Sequence, residues 1–295
     1  YDIKNSDFVT WFGSNALPDL DIKISSGKGG AFFLKNKKHS NLLIKSITPG
    51  EYEIFKQFTD KYYMYLLSNP RTLLTPIFGI FTLDLSENGE IPDIHFIVMK
   101  SVFDPNLVAP HQKLALFDLK GSEHGRKTLN DDNYPKLQDM RTCPRKLLDD
   151  TLKDVDFKNT VKSLNIENPR GLKRQMVRDA DFLTKNNFMD YSLLLFIVYD
   201  YGSKIEDEET WDIIDYDLET GEGESKEAAL KLKSKLPLPN NISSFTQNLT
   251  DDNGIEYQRH IYFGIIDYLT SFGYMKRFEE RFKRTKSINK LIIVY

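Results

Sequence analysis

Asp190 stands in the run Met189-Asp190-Tyr191-Ser192-Leu193-Leu194-Leu195-Phe196, where one carboxylate opens an apolar stretch. At such a helix-to-strand junction phosphotransferases place a carboxylate that orients a hydroxyl for attack on a phosphoryl group. An aspartate before a strand is also an ordinary turn or cap residue, so the run alone leaves both readings open. Asp267 closes a second apolar run, Phe263-Gly264-Ile265-Ile266-Asp267-Tyr268, and offers the hard oxygen that Mg2+ favours. Lys45 ends the run Asn41-Leu42-Leu43-Ile44-Lys45 and supplies a point charge suited to phosphate. Upstream, Gly27, Lys28, Gly29 and Gly30 form a turn whose backbone N–H groups could approach phosphates. A glycine cluster is more often a plain turn, and this one lacks the Lys-Ser/Thr of a P-loop. Phosphoryl transfer needs a phosphate grip, a metal ligand, an oriented hydroxyl and neutralised charge. Lys45, Asp267 and Asp190 are the candidates for the first three, with Mg2+ as the metal.

A third segment, Phe117-Asp118-Leu119-Lys120-Gly121-Ser122, carries a basic pair, Lys120 and Arg126. Taken with the Asp190 and Asp267 runs, and in this order, it resembles the phosphatidylinositol phosphate kinase family. Asn69 to Leu74, Lys153 to Phe157 and Ile97-Val98-Met99 look like further landmarks, so the resemblance covers about Ser25 to Lys283. It implies ATP-dependent phosphorylation of a phosphatidylinositol monophosphate, with Lys120 and Arg126 on the phosphate of the lipid head group. The other reading of that pair is a surface ion pair with Asp118. The Asn69 to Leu74 stretch resembles the 4-phosphate 5-kinase branch more than the 5-phosphate 4-kinase branch. Met275 to Lys283 is similar to the start of the family's activation segment, and the remainder up to Tyr295 is short for that segment. That departure keeps a catalytically impaired phosphoinositide-binding scaffold in view as a rival. A kinase of soluble inositol phosphates is the second rival.

The elements that must position these residues follow from periodicity. Ala31 to Leu34 and Asn41 to Lys45 read as strands, and Glu51 to Leu67 as a helix stopped by Asn69-Pro70. Ile54, Phe58, Tyr62 and Tyr65 fall near one side of that helix, and either Glu51 or Glu53 is placed to pair with Lys45. Ile77 to Leu85 and Ile94 to Phe103 read as an antiparallel pair, with a nucleotide-binding hinge at Met99 to Phe103. Lys113 to Lys120, Phe188 to Tyr199 and His260 to Tyr268 read as strands, Met176 to Asn187 as a helix, and Asn130 to Arg145 as a loop. Arg178 and Asp179 are expected to make only local helix contacts. The expected fold class is α+β, a two-lobed kinase-like fold. An antiparallel small lobe (1–103) sits on a larger mixed α/β lobe (104–295). Both belong to a single unit over 1–295, with a flexible acidic insert at about 202–255.

Composition limits the alternatives. A chain of 295 residues with 40% hydrophobic residues can bury a large core. The longest apolar run is too short for a transmembrane helix. The single cysteine, Cys143, excludes an internal disulfide and fits a reducing compartment. No signal peptide is visible, and an opening Tyr1 points to residues upstream. The net charge of −3 hides strong patterning. Residues 22–50 hold Lys23, Lys28, Lys35, Lys37, Lys38 and Lys45 without an acid, whereas 200–224 is strongly acidic. The basic stretch 274–290 reads either as a solvated tail or as a face for an anionic membrane, where each cation adds about 1 kcal/mol. The expected setting is the cytoplasm, peripherally on a membrane such as the plasma membrane. Nucleic acid is not an expected partner, and a homodimer is left open.

Overall fold

The computed structural model describes residues 5–24, 31–38, 41–83, 93–202 apart from Lys162, Asn165 and Glu167, and 244–270. The other residues, among them Gly27 to Gly30 and the basic stretch 274–290, lie outside that description. Two antiparallel sheets form the two lobes. The first is built from β1 (Leu20–Ile24), β2 (Phe32–Asn36), β3 (Leu42–Ile47), β4 (Ile77–Leu83) and β5 (Ile94–Lys100), in the order β1-β2-β3-β5-β4. The second is built from β6 (Lys113–Leu119), β7 (Ser192–Asp200), β8 (Ser244–Thr250) and β9 (Glu256–Ile266), in the order β6-β7-β9-β8. A short helix α1 (Asn5–Phe12) precedes the first sheet.

Helix α2 (Pro49–Ser68) starts where its sequence says it should. The Thr48 side chain accepts from the Glu51 N–H while the Glu51 carboxylate accepts from the Thr48 N–H. This reciprocal cap satisfies two donors that the first turn leaves open. Its buried residues Phe55, Phe58 and Tyr62 form one stripe, the spacing expected of a helix lying on a core. In the second lobe α3 (Tyr134–Gln138), α4 (Asp154–Thr160) and α5 (Pro169–Lys185) accompany the sheet. Tyr65 of α2 stacks on Phe182 of α5 with centroids 3.8 Å apart. One core cluster runs from Phe55, Ile97 and Met99 to Phe117, Leu195 and Phe263, joining the lobes.

Asp179 carries more than the local helix contacts expected of it. It is fully buried in α5 and accepts from the Leu73 N–H (2.8 Å), the Thr72 hydroxyl (2.7 Å), the Tyr65 hydroxyl (2.6 Å) and Gln175 (2.9 Å). A buried carboxylate persists only when hydrogen bonds replace its water, and here those bonds clamp the 72–75 segment. That segment then pairs with β9: Ile265 N–H donates to Leu73 C=O (2.7 Å) and Thr75 N–H donates to Ile265 C=O (2.9 Å).

The close approach requires Gly264. A Cβ there would stand 2.8 Å from Thr75 Oγ1 and 3.0 Å from Val102 Cγ2. Gly264→Ala is therefore expected to destabilise the fold by about 1–3 kcal/mol, the usual cost of overpacking. Chemical denaturation measures it, and an unchanged midpoint would refute the tight fit.

Three expectations about elements are corrected. An additional strand, β1, lies between the N-terminal helical turns and the 31–34 strand. The 130–145 loop contains α3 and short 3-10 turns. The insert expected to be flexible over 202–255 ends in an ordered strand, β8, whose register on β9 runs from Ser244↔Tyr262 to Thr250↔Glu256. Its composition of Ser, Thr, Gln and Asn looks like a linker, because β8 is an edge strand with one face in water. Gln247 is buried there because Arg259 donates to its side-chain oxygen.

Candidate active site

The register of the second sheet brings the candidate residues together. Leu119, the last residue of β6, pairs with Leu193 at the start of β7. Ser192 pairs with Ile266 at the end of β9. The residues just beyond these pairs, Lys120, Asp190 and Asp267, therefore leave the sheet at one end. The long sequence separation of Asp190 and Asp267 is closed by adjacent antiparallel strands. The Met189 N–H donates to Thr270 C=O at 2.9 Å and ties the two exits together.

Both aspartates have left-handed backbone, φ 59° at Asp190 and φ 60° at Asp267, as does Asn187 at φ 59°. Among side-chain-bearing residues, Asn and Asp adopt this region at modest cost. Such conformations collect at functional sites, where the surrounding packing holds them. Here the holding groups are the flanking strand pairs and the Met189–Thr270 bond. Both carboxylates are exposed to solvent.

The first sheet faces this end with Lys45. Its Nζ lies 2.5 Å from Asp267 Oδ1, an ion pair across the lobes, with the lysine side chain 16% exposed and the aspartate 44%. Lys45, Glu51, Ile77, Met99, Asp267 and Tyr268 line a common cleft of about 300 Å³ open to solvent. Met99 contributes its buried side chain to this apolar wall. At the hinge, the Lys100 N–H is taken by Pro76 C=O and the Ser101 N–H by Asn41 C=O, each at 2.8 Å. Lys35 reaches from β2 to Asp104 at 2.8 Å and braces the same junction.

Pairing of Lys45 with Glu51 or Glu53 is not found. Glu51 is committed to the Thr48 cap and Glu53 pairs with Lys56 at 3.3 Å. The partner of Lys45 is Asp267. Gly27, Lys28, Gly29 and Gly30 lie outside the described residues.

The Lys120–Arg126 segment is organised by Asp154 at the start of α4, which the sequence marks only as part of a landmark. Its carboxylate accepts from the Lys120 N–H (3.0 Å), the Gly121 N–H (2.7 Å) and Arg126 Nε (2.9 Å). Gly121 turns the chain there with φ 70°. Arg126 also donates to the Asp118 backbone oxygen and, at 3.1 Å, to Asp118 Oδ1. The ion pair of Arg126 with Asp118 is thus present, and it is semi-buried, with the arginine side chain 15% exposed. In the same first turn of α4, fully buried Asp156 accepts from the Thr128 and Leu129 N–H groups and the Tyr134 hydroxyl. It fixes the far end of the same loop.

The chemistry this geometry allows is a cation and a carboxylate across a cleft, a second carboxylate at the same sheet end, and a basic turn beside it. Among the described residues no group of three or more His, Cys, Asp or Glu could hold a metal alone. Asp267 brings one exposed carboxylate to the cleft, a donor that would fit Mg2+, which takes one or two carboxylates together with substrate phosphates and water.

Comparison with known proteins matches residues 15–294 to the phosphatidylinositol-4-phosphate 5-kinase family. A Plasmodium falciparum phosphatidylinositol 4-phosphate 5-kinase is 30% identical over 96% of this chain and 16% of its own length. The human type-1 beta phosphatidylinositol 4-phosphate 5-kinase is 27% identical over 96% of this chain and 50% of its own. A zebrafish phosphatidylinositol 5-phosphate 4-kinase type-2 gamma is 25% identical over 92% of this chain and 67% of its own. The chain thus spans 16% of the first of these relatives and 50% of the second. With the charged residues gathered at one sheet end and a family match over nearly its whole length, this chain belongs to the phosphatidylinositol-4-phosphate 5-kinase family.

Proposed function

We propose that the chain, acting as one catalytic unit, transfers the γ-phosphoryl group of ATP to a phosphatidylinositol monophosphate. The favoured substrate is the 4-phosphate, phosphorylated at its 5-hydroxyl. The observation that carries this reading is the convergence of Lys120, Asp190 and Asp267 at one sheet end opposite Lys45. Lys45 would neutralise nucleotide phosphates and Asp267 would hold Mg2+, which supplies charge stabilisation at the transferring group. Without nucleotide the two compensate each other; with it, each has a partner of opposite charge. Asp190 would accept the proton of the attacking inositol hydroxyl. The preference for the 5-hydroxyl rests on the Asn69 to Leu74 resemblance and on relatives named 4-phosphate 5-kinases at 30% and 27% identity. No helix among the described residues is long and apolar enough to cross a membrane. Lipid would be reached from the surface of an anionic bilayer, with the basic 274–290 stretch as the attracting segment.

The deciding experiment supplies radiolabelled ATP with each phosphatidylinositol monophosphate and with soluble inositol phosphates, products being separated by isomer. Phosphate incorporated into the lipid 4-phosphate supports the proposal. Incorporation only into soluble substrates would replace it, and lipid binding without turnover would favour a scaffold.

Head-group recognition separates Lys120 from Arg126. Among the described residues the Lys120 ammonium makes no hydrogen bond or ion pair, so Lys120→Ala should act on the ligand alone. Loss of a charge-assisted contact is worth about 1.5–3 kcal/mol, so the KM for lipid should rise roughly tenfold or more while that for ATP holds. Arg126→Ala should raise the same constant and also lower the melting temperature, because Asp118 and Asp154 lose their shared cation. A change confined to the ATP constant would assign both residues to the nucleotide.

A further inference from the structure

A buried run of hydroxyls joins helix α2 to the residue after Asp267. The Ile77 N–H donates to the Tyr62 hydroxyl at 2.8 Å. The Tyr62 and Tyr268 hydroxyls are 3.0 Å apart. The Tyr268 hydroxyl donates to Thr75 C=O at 2.6 Å. The Tyr62 hydroxyl also lies 3.5 Å from Thr75 C=O, so its proton has two acceptors, that carbonyl and the Tyr268 oxygen. Tyr62 is 3% exposed and Tyr268 2%. Burial pushes the Tyr62 phenol up to about 12 and the Tyr268 phenol well above its ordinary value, so both protons stay in place at neutral pH.

Packing alone does not explain these hydroxyls. Two phenylalanines would fill the same volume but would take these partners from the Ile77 N–H and the Thr75 C=O. The hydroxyls also tie helix α2 to the residue that follows Asp267. Tyr268 directly follows Asp267, whose backbone is left-handed. Two residues before Asp267, Ile265 is bonded on both sides to the 73–75 segment. The Tyr62–Tyr268 run fixes the other side. Helix α2, which carries Tyr62, also brings its capped first turn to the cleft at Glu51.

We propose that Tyr62 and Tyr268 are positioning residues, whose hydroxyl run makes the seat of the Asp267 carboxylate depend on the placement of helix α2. Any shift of α2 would then change how well Asp267 holds Mg2+ against nucleotide phosphates. The inference rests on the reading of Asp267 as metal ligand.

The test uses Tyr268→Phe, Tyr62→Phe and the double variant of the whole chain. Binding of a fluorescent ATP analogue is followed as Mg2+ is titrated, beside kcat, the KM for lipid and the melting temperature. Groups that orient a metal ligand typically contribute on the order of 10- to 100-fold to metal affinity or activity. Each single variant is expected to raise the Mg2+ concentration needed for half-maximal nucleotide binding by about tenfold, with the KM for lipid unchanged. The double variant should be no worse than the more affected single one, since the residues act as one run. A lowered melting temperature with an unchanged Mg2+ titration would overturn the proposal and leave a structural role. Additive losses would overturn the coupling. If Tyr268→Phe does not fold, Tyr62→Phe carries the test, and failure of both to fold also assigns the pair to stability. Asp267→Ala in the same titration keeps the two readings apart. If it leaves the Mg2+ dependence intact, the metal assignment fails. If it removes that dependence while the tyrosine variants do not, only the positioning run fails.

Discussion

Asp267→Ala is expected to lower magnesium-dependent ATP turnover by about 10³-fold, the scale of losing a charge-stabilising group at a phosphoryl-transfer site. The reason lies in the interlobe pair. Lys45 Nζ and Asp267 Oδ1 are 2.5 Å apart and only partly exposed, so each carries the other's charge across the cleft. Removing the carboxylate frees the lysine. Nucleotide without metal should then bind at least as well as before, because the ammonium no longer has a competing partner. Added Mg2+ should no longer improve binding or turnover. This split distinguishes a lost metal ligand from a damaged fold, which would weaken both forms of the nucleotide. Asp251→Ala is the matched control. Asp251 accepts from the Asn253 and Ile255 N–H groups in the turn before β9, at the opposite end of the strand from Asp267. Its loss should lower the melting temperature and leave kcat in place. Equal losses of turnover in the two variants would remove Asp267 from the metal site.

The strands that carry the chemistry are legible because each is an apolar run bounded by polar residues, and β3, β6, β7 and β9 fall within a few residues of expectation. Their convergence is implied by the resemblance, and the register supplies its physical form. What the sequence could not show is which charge meets which. Glu51 is close in sequence to Lys45 and on the correct helix, yet the nearer Thr48 N–H and hydroxyl claim it. The partner that Lys45 does find is 222 residues away. Asp179 is a sharper case. In sequence it sits beside Arg178 in a highly charged helix. Its role comes from facing inward, on the stripe of Leu172, Gln175 and Leu183. A carboxylate in an apolar stripe is the available signal, and helical periodicity could have found it. Gly264 and the Tyr62–Tyr268 run carry no such signal, because both depend on how closely the 72–75 segment approaches β9.

Asp190→Asn should lower turnover by about 10²- to 10⁴-fold, the range for a positioned proton acceptor, and this substitution is chosen for what it preserves. Asp190 has φ 59°, a conformation that asparagine adopts as readily as aspartate. Alanine there would add backbone strain to the loss of charge and confuse the two. Asparagine also retains the capping and turn-forming ability of the side chain. If Asp190 were only a turn residue, the amide would serve equally well and turnover would be unchanged. If it accepts the hydroxyl proton, the neutral amide cannot do so, and kcat falls while lipid binding holds. The residue is exposed, so the stability change should stay within about 0.5 kcal/mol. The Met189–Thr270 bond and the strand pair at Ser192 are main-chain contacts that the substitution does not touch. The measurement is single-turnover phosphate transfer with saturating lipid, beside a vesicle-binding assay and a melting curve. Full transfer by a normally folded protein would reduce Asp190 to a turn residue and remove it from the proton-accepting role.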